Sequence, residues 1–178
     1  MPMRNKLLII SPLEDERAAI KEILSSDKWT ALEAADSDEA LSVVKSEGEG
    51  VAAVIFVVAA DEIDFFTFAK DAARYAVSAK IPAVVIADKD SVELKLMAFD
   101  FGICDVMIKP IAAEILRQRI KNITDASRSR EAFCDIIRQQ TKEFHRYKQP
   151  ILDGLRSMME YNNLESGRHI KRMQQYIR

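Results

Sequence analysis

The first 110 residues alternate short apolar runs with longer runs in which apolar residues recur every three or four positions. A short apolar run bounded by turn residues is typical of a buried strand, and the longer spacing is typical of an amphipathic helix. The predicted strands are KLLIIS, WTALEAA, VAAVIFVVAA, AVVIA and DVMI. The predicted helices between them are EDERAAIKEIL, SDEALSVVKSE, DFFTFAKDAARYAV and SVELKLMAFDF.

Five strands, each followed by a helix, predict an α/β fold with a parallel sheet that helices cover on both faces. Because connections between parallel strands are right-handed and the chain is short, we expect the flavodoxin-like strand order 2-1-3-4-5. Ser37 or Asp38 is expected to cap the second helix, and Gly102 to end the fourth. A long C-terminal helical extension follows this sheet.

The extension begins near Ile111, where strand signals stop and apolar residues step by four and three. The residues of this seam are Leu116, Ile120, Ile123, Cys134, Ile137, Phe144, Ile151, Leu155 and Met158. Polar residues interrupt it at Ser127, Arg130, Thr141 and Lys148. Heptad spacing of this length predicts a helix that self-associates as a coiled coil. The alternative is a long fifth helix that folds back and packs on its own domain. Pro150 is expected to end or kink the helix near Lys148 and Gln149.

Charge is distributed unevenly along the 178 residues. Residues 1–110 carry 12 Lys/Arg and 20 Asp/Glu, a net charge of −8, whereas 111–178 carry 14 and 8, a net charge of +6. Such a split is typical of two modules with different roles. The basic residues of the second part are scattered around helical faces, which favours solvated helix surface over nucleic-acid binding.

The remaining composition favours a cytoplasmic protein with reduced thiols. No apolar run is long enough to span a membrane, and the start MPMRNKLLII is too short for a secretion signal. Cys104 and Cys134, the two cysteines, have no metal-ligand spacing between them.

The segment FGICDVMIKPI, residues 101–111, ends a predicted strand in Lys109, followed by Pro110. With the strand–helix alternation, this ending resembles the CheY-like receiver domains of bacterial two-component systems over residues 5–123. In that family an acidic pair after the first strand holds Mg²⁺, and an aspartate ending the third strand is phosphorylated. A Ser or Thr ends the fourth strand and a lysine the fifth. The carboxylate attacks phosphorus, while the cation, the hydroxyl and the ammonium hold the phosphoryl oxygens.

The first strand of this chain departs from the family pattern. Ser11 and Pro12 stand where the resemblance implies the acidic pair. Glu14 and Asp15 come later, in the predicted first turn of the helix, where the helix dipole favours acidic residues.

The later strands depart as well. By the family's spacing, Asp64 corresponds to a second aspartate in the loop, and counting back aligns Val57 with the phosphorylated aspartate. Choosing Asp61 instead would make the strand about twice its usual length. Ala87 stands at the Ser/Thr position, and Val106 at the family's aromatic switch position.

Only Lys109 and Pro110 match, so the resemblance implies a pseudo-receiver that keeps the fold and has lost the phosphoryl chemistry. Lys109 is expected to pair with Glu14, Asp15 or Asp61, or to be solvated. Pro110 suits the first turn of a helix. The vacated pocket around Ser11, Val57 and Ala87 is expected to be closed by packing.

The last segment, ILDGLRSMMEYNNLESGRHIKRMQQYIR, resembles the opening of an HD-GYP phosphohydrolase domain, with its E-(T/S)-G-x-H-x-x-R motif. The matching residues are Glu165, Ser166, Gly167, His169 and Arg172. In that family the Glu and the His four residues later ligate a metal, and on a helix this spacing puts both on one face. Taken alone, Glu165 and His169 would more often be a surface pair.

The HD-GYP family also needs a later His-Asp pair and further histidines, whereas the other histidine here, His145, lies on the long helix. We therefore expect a piece of a larger regulator without a complete catalytic site. The chain itself is expected to bind no cofactor, and the intact protein a divalent transition metal.

The expected domains are a receiver-like domain (1–123), a linker or signalling helix (124–149) and the beginning of an HD-GYP domain (150–178). The leading function is a regulatory module that dimerises through the C-terminal helix and acts through protein–protein interaction. A histidine kinase or another signalling protein is the expected partner; nucleic acid and membrane are not expected. The alternative is the N-terminal part of a metal-dependent cyclic di-GMP phosphodiesterase, inactive in this form. A DNA-binding response regulator is disfavoured, because no helix-turn-helix follows residue 123.

Overall fold

A computed structural model of the chain describes residues 4–25, 29–48, 50–58 and 71–176, without the side chains of 162–171 and 173–176. The strands are β1 (Lys6–Ile10), β2 (Thr30–Ala34), β3 (Val51–Val58), β4 (Ala83–Ala87) and β5 (Asp105–Ile108). The helices are α1 (Glu14–Leu24), α2 (Ser37–Glu47), α3 (described over 71–78), α4 (Val92–Asp100) and α5 (Ala113–Tyr176).

The five strands form one sheet in the order β2-β1-β3-β4-β5. Every neighbouring pair is parallel. The predicted flavodoxin-like α/β fold with a long C-terminal helix is therefore confirmed. Gly102 follows Phe101, the C-cap of α4, and so lies at the end of this helix as predicted.

Two core layers lie on opposite faces of this sheet, because side chains alternate between the faces of each strand. One layer joins strand residues such as Leu8, Phe56 and Val85 to residues of α2, α3 and α4. The other joins Ile9, Ile55, Val57 and Ile86 to α1 and α5. The α1 and α5 residues of this second layer are Ile20, Leu24, Leu116 and Ile120.

The N-terminus of α2 differs from the prediction, because Asp36 caps it rather than Ser37 or Asp38. The Asp36 side chain accepts a hydrogen bond from the Glu39 N–H at 2.8 Å. In return, the Glu39 carboxylate accepts one from the Ala35 N–H at 2.7 Å. This reciprocal pairing is similar to a capping box and satisfies donors that the first helical turn leaves free.

Pro150 was predicted to end or kink the helix; α5 continues through this residue, so the first of the two outcomes is wrong. Proline removes one backbone donor from the helix, whereas the hydrogen bonds of the turns on either side do not depend on that donor. Of the described helices, none is long and apolar enough to cross a membrane.

Contacts divide the chain into two units, Met1–Ser129 and Arg130–Arg178. In the first unit, Leu116 and Ile120 of α5 are buried against the sheet, and the buried Thr124 hydroxyl donates to the Ile120 carbonyl at 2.9 Å. In the second unit, most of the large apolar side chains described on α5 are exposed, including Ile137, Phe144, Ile151, Leu155 and Met158. The division into 1–123, 124–149 and 150–178 stays a prediction.

Gly102 shows how tightly one connection of the fold is specified. Its φ is +79°, and its N–H donates to the Phe99 carbonyl while the Ile103 N–H donates to the Ala98 carbonyl. This pair of bonds is the Schellman arrangement, in which glycine avoids the steric cost of a left-handed residue. A Cβ at this position would lie 3.0 Å from Val77 Cγ2.

We predict that Gly102→Ala lowers the free energy of unfolding by about 1–3 kcal/mol, through backbone strain and the contact with Val77. Urea unfolding followed by the fluorescence of Trp29, the one tryptophan of the chain, measures this loss. The matched control is Gly154→Ala in α5, where a Cβ meets nothing within 4 Å. Since alanine favours a helix over glycine, the control should not lower the midpoint. An unchanged midpoint in Gly102→Ala would contradict the prediction.

Candidate functional site

The candidate site lies at the edge of the sheet where the parallel strands end. Ser11 follows β1, Asp88 follows β4, and Lys109 follows β5. In open parallel sheets, ligands bind outside the carboxyl ends of the strands, where the strand order reverses. The topology therefore brings a hydroxyl, a carboxylate and an ammonium group to this edge.

Lys109 is ion-paired with two carboxylates. Its ammonium contacts Glu16 Oε1 and, at 2.8 Å, Asp88 Oδ1. The Lys109 side chain is 28% exposed and that of Glu16 is 19% exposed, so their pairing is partly shielded from solvent.

Lys109 was predicted to pair with Glu14, Asp15 or Asp61, or to be solvated; among the described residues its partners are Glu16 and Asp88 rather than Glu14 or Asp15. Glu14 and Asp15 do lie in the first turn of α1, as predicted, but both are exposed. Asp61 and Asp64 lie outside the described residues.

Glu16 reaches the site because of its place on α1. It precedes the buried residues Ile20 and Leu24 by four and eight positions, so all three lie on one face of the helix. Its second oxygen, Oε2, accepts a hydrogen bond from the Ser11 hydroxyl at 2.9 Å. Each carboxylate oxygen of Glu16 thus has its own donor, one cationic and one neutral.

Ser11 is fully buried and makes hydrogen bonds to Leu13, Glu16 and Arg17. Its hydroxyl oxygen accepts a hydrogen bond from the Leu13 N–H at 3.2 Å, which leaves the hydroxyl hydrogen for Glu16. The Arg17 guanidinium donates to the Ser11 carbonyl at 2.6 Å. These bonds fix the turn between β1 and α1 that brings Glu16 to Lys109.

Arg17 also connects this turn to β2. Its Nε lies 3.6 Å from Glu33 Oε2, and Lys21 Nζ lies 2.5 Å from Glu33 Oε1. The Lys21 hydrogen bond lowers the pKa of Glu33 below its ordinary value. Desolvation opposes this change, and the charges of Lys21 and Arg17 add to it. Glu33 is therefore ionised at neutral pH and holds both cations.

The pKa of Lys109 is raised above its ordinary value. Burial of the ammonium lowers the pKa, but hydrogen bonds and charge from Asp88 and Glu16 outweigh that effect. A raised lysine pKa contributes stability that is fully present below the unfolded value of about 10.4. That contribution is lost only as pH rises through the raised folded value, so the pairing is intact at neutral pH.

The other predicted pocket residues differ in their surroundings. Val57 is fully buried near the end of β3, paired with Ile86, in the core layer that includes α1 and α5. Ala87 is buried at the end of β4, and its carbonyl accepts the Lys109 N–H at 2.8 Å. Pro12 is exposed. Of the predicted site residues, Ser11 and Lys109 are thus linked indirectly, because the side chain of each bonds to one oxygen of Glu16.

Pro110 was predicted to lie in the first turn of a helix. It lies instead before α5. Helix α5 begins at Ala113, and the Lys109–Pro110 peptide bond is cis. The first turn of α5 forms instead on the Ala112 carbonyl, which accepts from the N–H groups of Ile115 and Leu116.

The second predicted site falls on α5. The backbone of Glu165 and His169 is helical, while their side chains lie outside the described ones. Among the side chains that are described, no group of three or more His, Cys, Asp or Glu is placed to hold a metal ion. The metal-ligand prediction stays a prediction.

Sequence reasoning missed Glu16 and Asp88. A signal for Glu16 was available, since it shares the four-residue spacing of Ile20 and Leu24 on the buried face of α1. A signal for Asp88 was its position directly after the apolar run of β4. The search for carboxylates at the family's positions directed attention to Glu14, Asp15 and β3 instead.

No protein-family model matches the chain. Among solved structures, it is similar to a CheY-like response regulator receiver domain protein from Methanospirillum hungatei, with 17% identity and a TM-score of 0.59, over 71% of this chain and 98% of that chain. It is also similar to the signal receiver domain of an HD domain-containing protein from Pseudomonas fluorescens, with 17% identity and a TM-score of 0.60, over the same shares. The chain therefore has the CheY-like receiver fold.

The chain is also similar in sequence to one protein whose function is described. A probable cyclic di-GMP phosphodiesterase from Vibrio cholerae is 23% identical over 105 residues, which cover 55% of this chain and 24% of that protein. The match thus spans about a quarter of the relative's length.

Proposed function

We propose that this chain is a signal-transduction regulatory module that has lost the phosphoacceptor and acts by protein–protein interaction and dimerisation to control an output domain. The main observation that supports this proposal is that the Lys109 ammonium is ion-paired with Glu16 and Asp88. The CheY-like receiver fold supports the regulatory part of this function.

The chemistry at the end of β3 supports the loss of phosphorylation. Transfer to an aspartate needs a carboxylate nucleophile and a cation that offsets charge on the phosphoryl oxygens. Every position of β3, from Val51 to Val58, carries a buried apolar side chain. The described carboxylates at this edge of the sheet, Glu16 and Asp88, are both ion-paired with Lys109, which lowers their nucleophilicity.

We predict that acetyl phosphate with Mg²⁺ leaves the chain unmodified, because every side chain of β3, from Val51 to Val58, is apolar and offers no carboxylate. Intact-mass spectrometry at neutral pH measures the outcome, with a phosphorylatable receiver domain in the same reaction as the positive control. A mass increase of one phosphoryl group, mapped to an aspartate or glutamate of residues 1–123, would refute the proposed loss. Asp61→Ala and Asp64→Ala variants would then identify whether either aspartate is the acceptor.

The second unit supports dimerisation. Along α5 the side chains of Ile137, Phe144, Ile151 and Met158, each seven residues apart, are 46%, 64%, 61% and 68% exposed. Exposed apolar side chains that recur on one face of a helix, even with polar residues between them, favour an interaction site there. Fully burying one such side chain stabilises a complex by about 1.5–3 kcal/mol. A second copy of the same helix offers the matching heptad spacing, so we assign it as the partner.

Cys134 lies on this seam and provides a native reporter of its geometry. In a parallel, in-register pair, equal seam positions face each other, so the two Cys134 thiols come within bonding distance. We predict that a Cys104→Ser variant, with Cys134 as the remaining thiol, forms a disulfide-linked dimer on mild oxidation. Non-reducing electrophoresis detects the product.

The matched control is Cys134→Ser, which keeps the exposed Cys104 and should remain largely uncoupled. Sedimentation equilibrium of the reduced chain over a dilution series separates two kinds of failure. A dimer without cross-linking would exclude the parallel, in-register pairing, whereas a monomer at every concentration would exclude self-association altogether.

The alternative function is the front part of a metal-dependent cyclic di-GMP phosphodiesterase, inactive as this chain. It is favoured by the match to the Vibrio cholerae protein and by the Glu165 and His169 spacing. On this reading an intact protein that continues into the rest of an HD-GYP domain binds a transition metal and hydrolyses cyclic di-GMP.

We predict that elemental analysis finds a transition metal in that intact protein and that Glu165→Gln or His169→Ala reduces the metal content. The matched control, Glu160→Gln, changes an exposed glutamate of α5 that is paired with Arg156 and lies outside the motif. An intact protein without metal or hydrolysis would remove this alternative.

A further inference from the structure

The Glu16 carboxylate occupies a position that is built to hold an anion. The Lys109 ammonium lies on one of its oxygens and the Ser11 hydroxyl donates to the other. Hydrogen bonds from an ammonium group and a hydroxyl are the means by which proteins hold oxyanions. In this chain the anion belongs to the first turn of α1.

We propose that Glu16 serves as a built-in anion that fills the oxyanion site of Lys109 and Ser11 and thereby fastens α1 to the connection before α5. This proposal rests on the proposed function only in so far as no aspartyl phosphate competes for Lys109. It assigns to Glu16 a role that the family's pattern gives to a covalently attached phosphate.

The contacts show what Glu16 holds together. Lys109 lies four residues before α5, Asp88 belongs to the β4–α4 connection, and Ser11 belongs to the β1–α1 turn. Glu16 and Lys109 thus join three connections at one edge of the sheet. A hydrogen bond between α1 and α5 themselves lies about two turns further along α1, where Arg117 Nε donates to the Ile23 carbonyl at 2.7 Å.

Removing the Glu16 side chain should open this site to a free anion. The atoms that Glu16→Ala deletes are a methylene and a carboxylate, which together have the structure of acetate. Lys109 and Ser11 would remain as donors for an added acetate ion. Asp88 would remain paired with Lys109 and would oppose the second anion, so the rescue should need an excess of acetate.

The test compares Glu16→Ala with Glu14→Ala by thermal unfolding. Both variants lose one acidic residue from the first turn of α1 and the same kind of favourable interaction with the helix dipole. Of these two glutamates, Glu16 is the one that contacts Lys109 and Ser11. We expect Glu16→Ala to melt roughly 3–6 °C below Glu14→Ala. Sodium acetate should raise the melting temperature of Glu16→Ala beyond the effect of sodium chloride at equal ionic strength, and should leave Glu14→Ala at the chloride value.

Two further variants extend the test, and the first of them, Glu16→Gln, keeps it decisive if Glu16→Ala folds poorly. Glu16→Gln keeps the size of the side chain and loses its charge, so we expect a smaller loss and no acetate rescue, because the space is filled. Glu16→Ala with Lys109→Met should lose the rescue, because the cationic donor is gone. Equal melting temperatures for Glu16→Ala and Glu14→Ala would overturn the proposal. So would an acetate effect of equal size in every variant.

These outcomes are separate from those that test the proposed function. Acetate rescue of Glu16→Ala together with phosphorylation of the wild-type chain would keep the anion site and refute the loss of the phosphoacceptor. No rescue together with an unphosphorylated wild-type chain would refute the built-in anion and keep the pseudo-receiver. Hydrogen–deuterium exchange of the backbone amides at the start of α5 should be faster in Glu16→Ala than in Glu14→Ala. This difference measures how far Glu16 stabilises the attachment of α1 to the connection before α5.

Discussion

The burial of β3 is the constraint on which the rest of this structure depends. All eight of its side chains, Val51 to Val58, are buried, so both faces of the strand need cover. Helices α1 and α5 cover one face, and α2, α3 and α4 cover the other. Each of these helices follows one strand of the sheet, and a helical crossover is the usual connection between parallel strands. Parallel strands in turn bring all the carboxyl ends, and the side chains that follow them, to one edge of the sheet.

The same constraint determines the chemistry at that edge. An apolar β3 offers no carboxylate to Lys109, and a partly buried ammonium without a counter-charge is costly. Glu16 and Asp88 supply the charge from the two neighbouring connections. The buried Ser11 hydroxyl then has an acceptor in Glu16. The Lys109 ammonium, the Glu16 carboxylate and the Ser11 hydroxyl thus each have a bonding partner within this group. The arrangement is that of an occupied anion site, with the occupant on the same chain.

The sequence predicted what depends on local periodicity. The bounds of α1, α2, β4 and β5 agree with the apolar and polar pattern, and so does the strand order, because alternation and handedness restrict the topology. The pattern did not predict the partners of Lys109, since Glu16 is 93 residues away and its orientation depends on the phase of α1. At Pro150 the local rule on proline left two outcomes open, an end or a kink of the helix, and the end is wrong because α5 continues through this residue.

A built-in anion has a consequence for how such a module can carry a signal. Coupling through a helix needs two arrangements of that helix whose free energies respond to the input. With Glu16 and Asp88 on the chain, Lys109 has its counter-charge without any modification. Under the proposed function, an input acts elsewhere, by a difference in affinity for a partner rather than by a new charge at this edge. The exposed apolar side chains of the second unit are where such a difference has the most surface to act on.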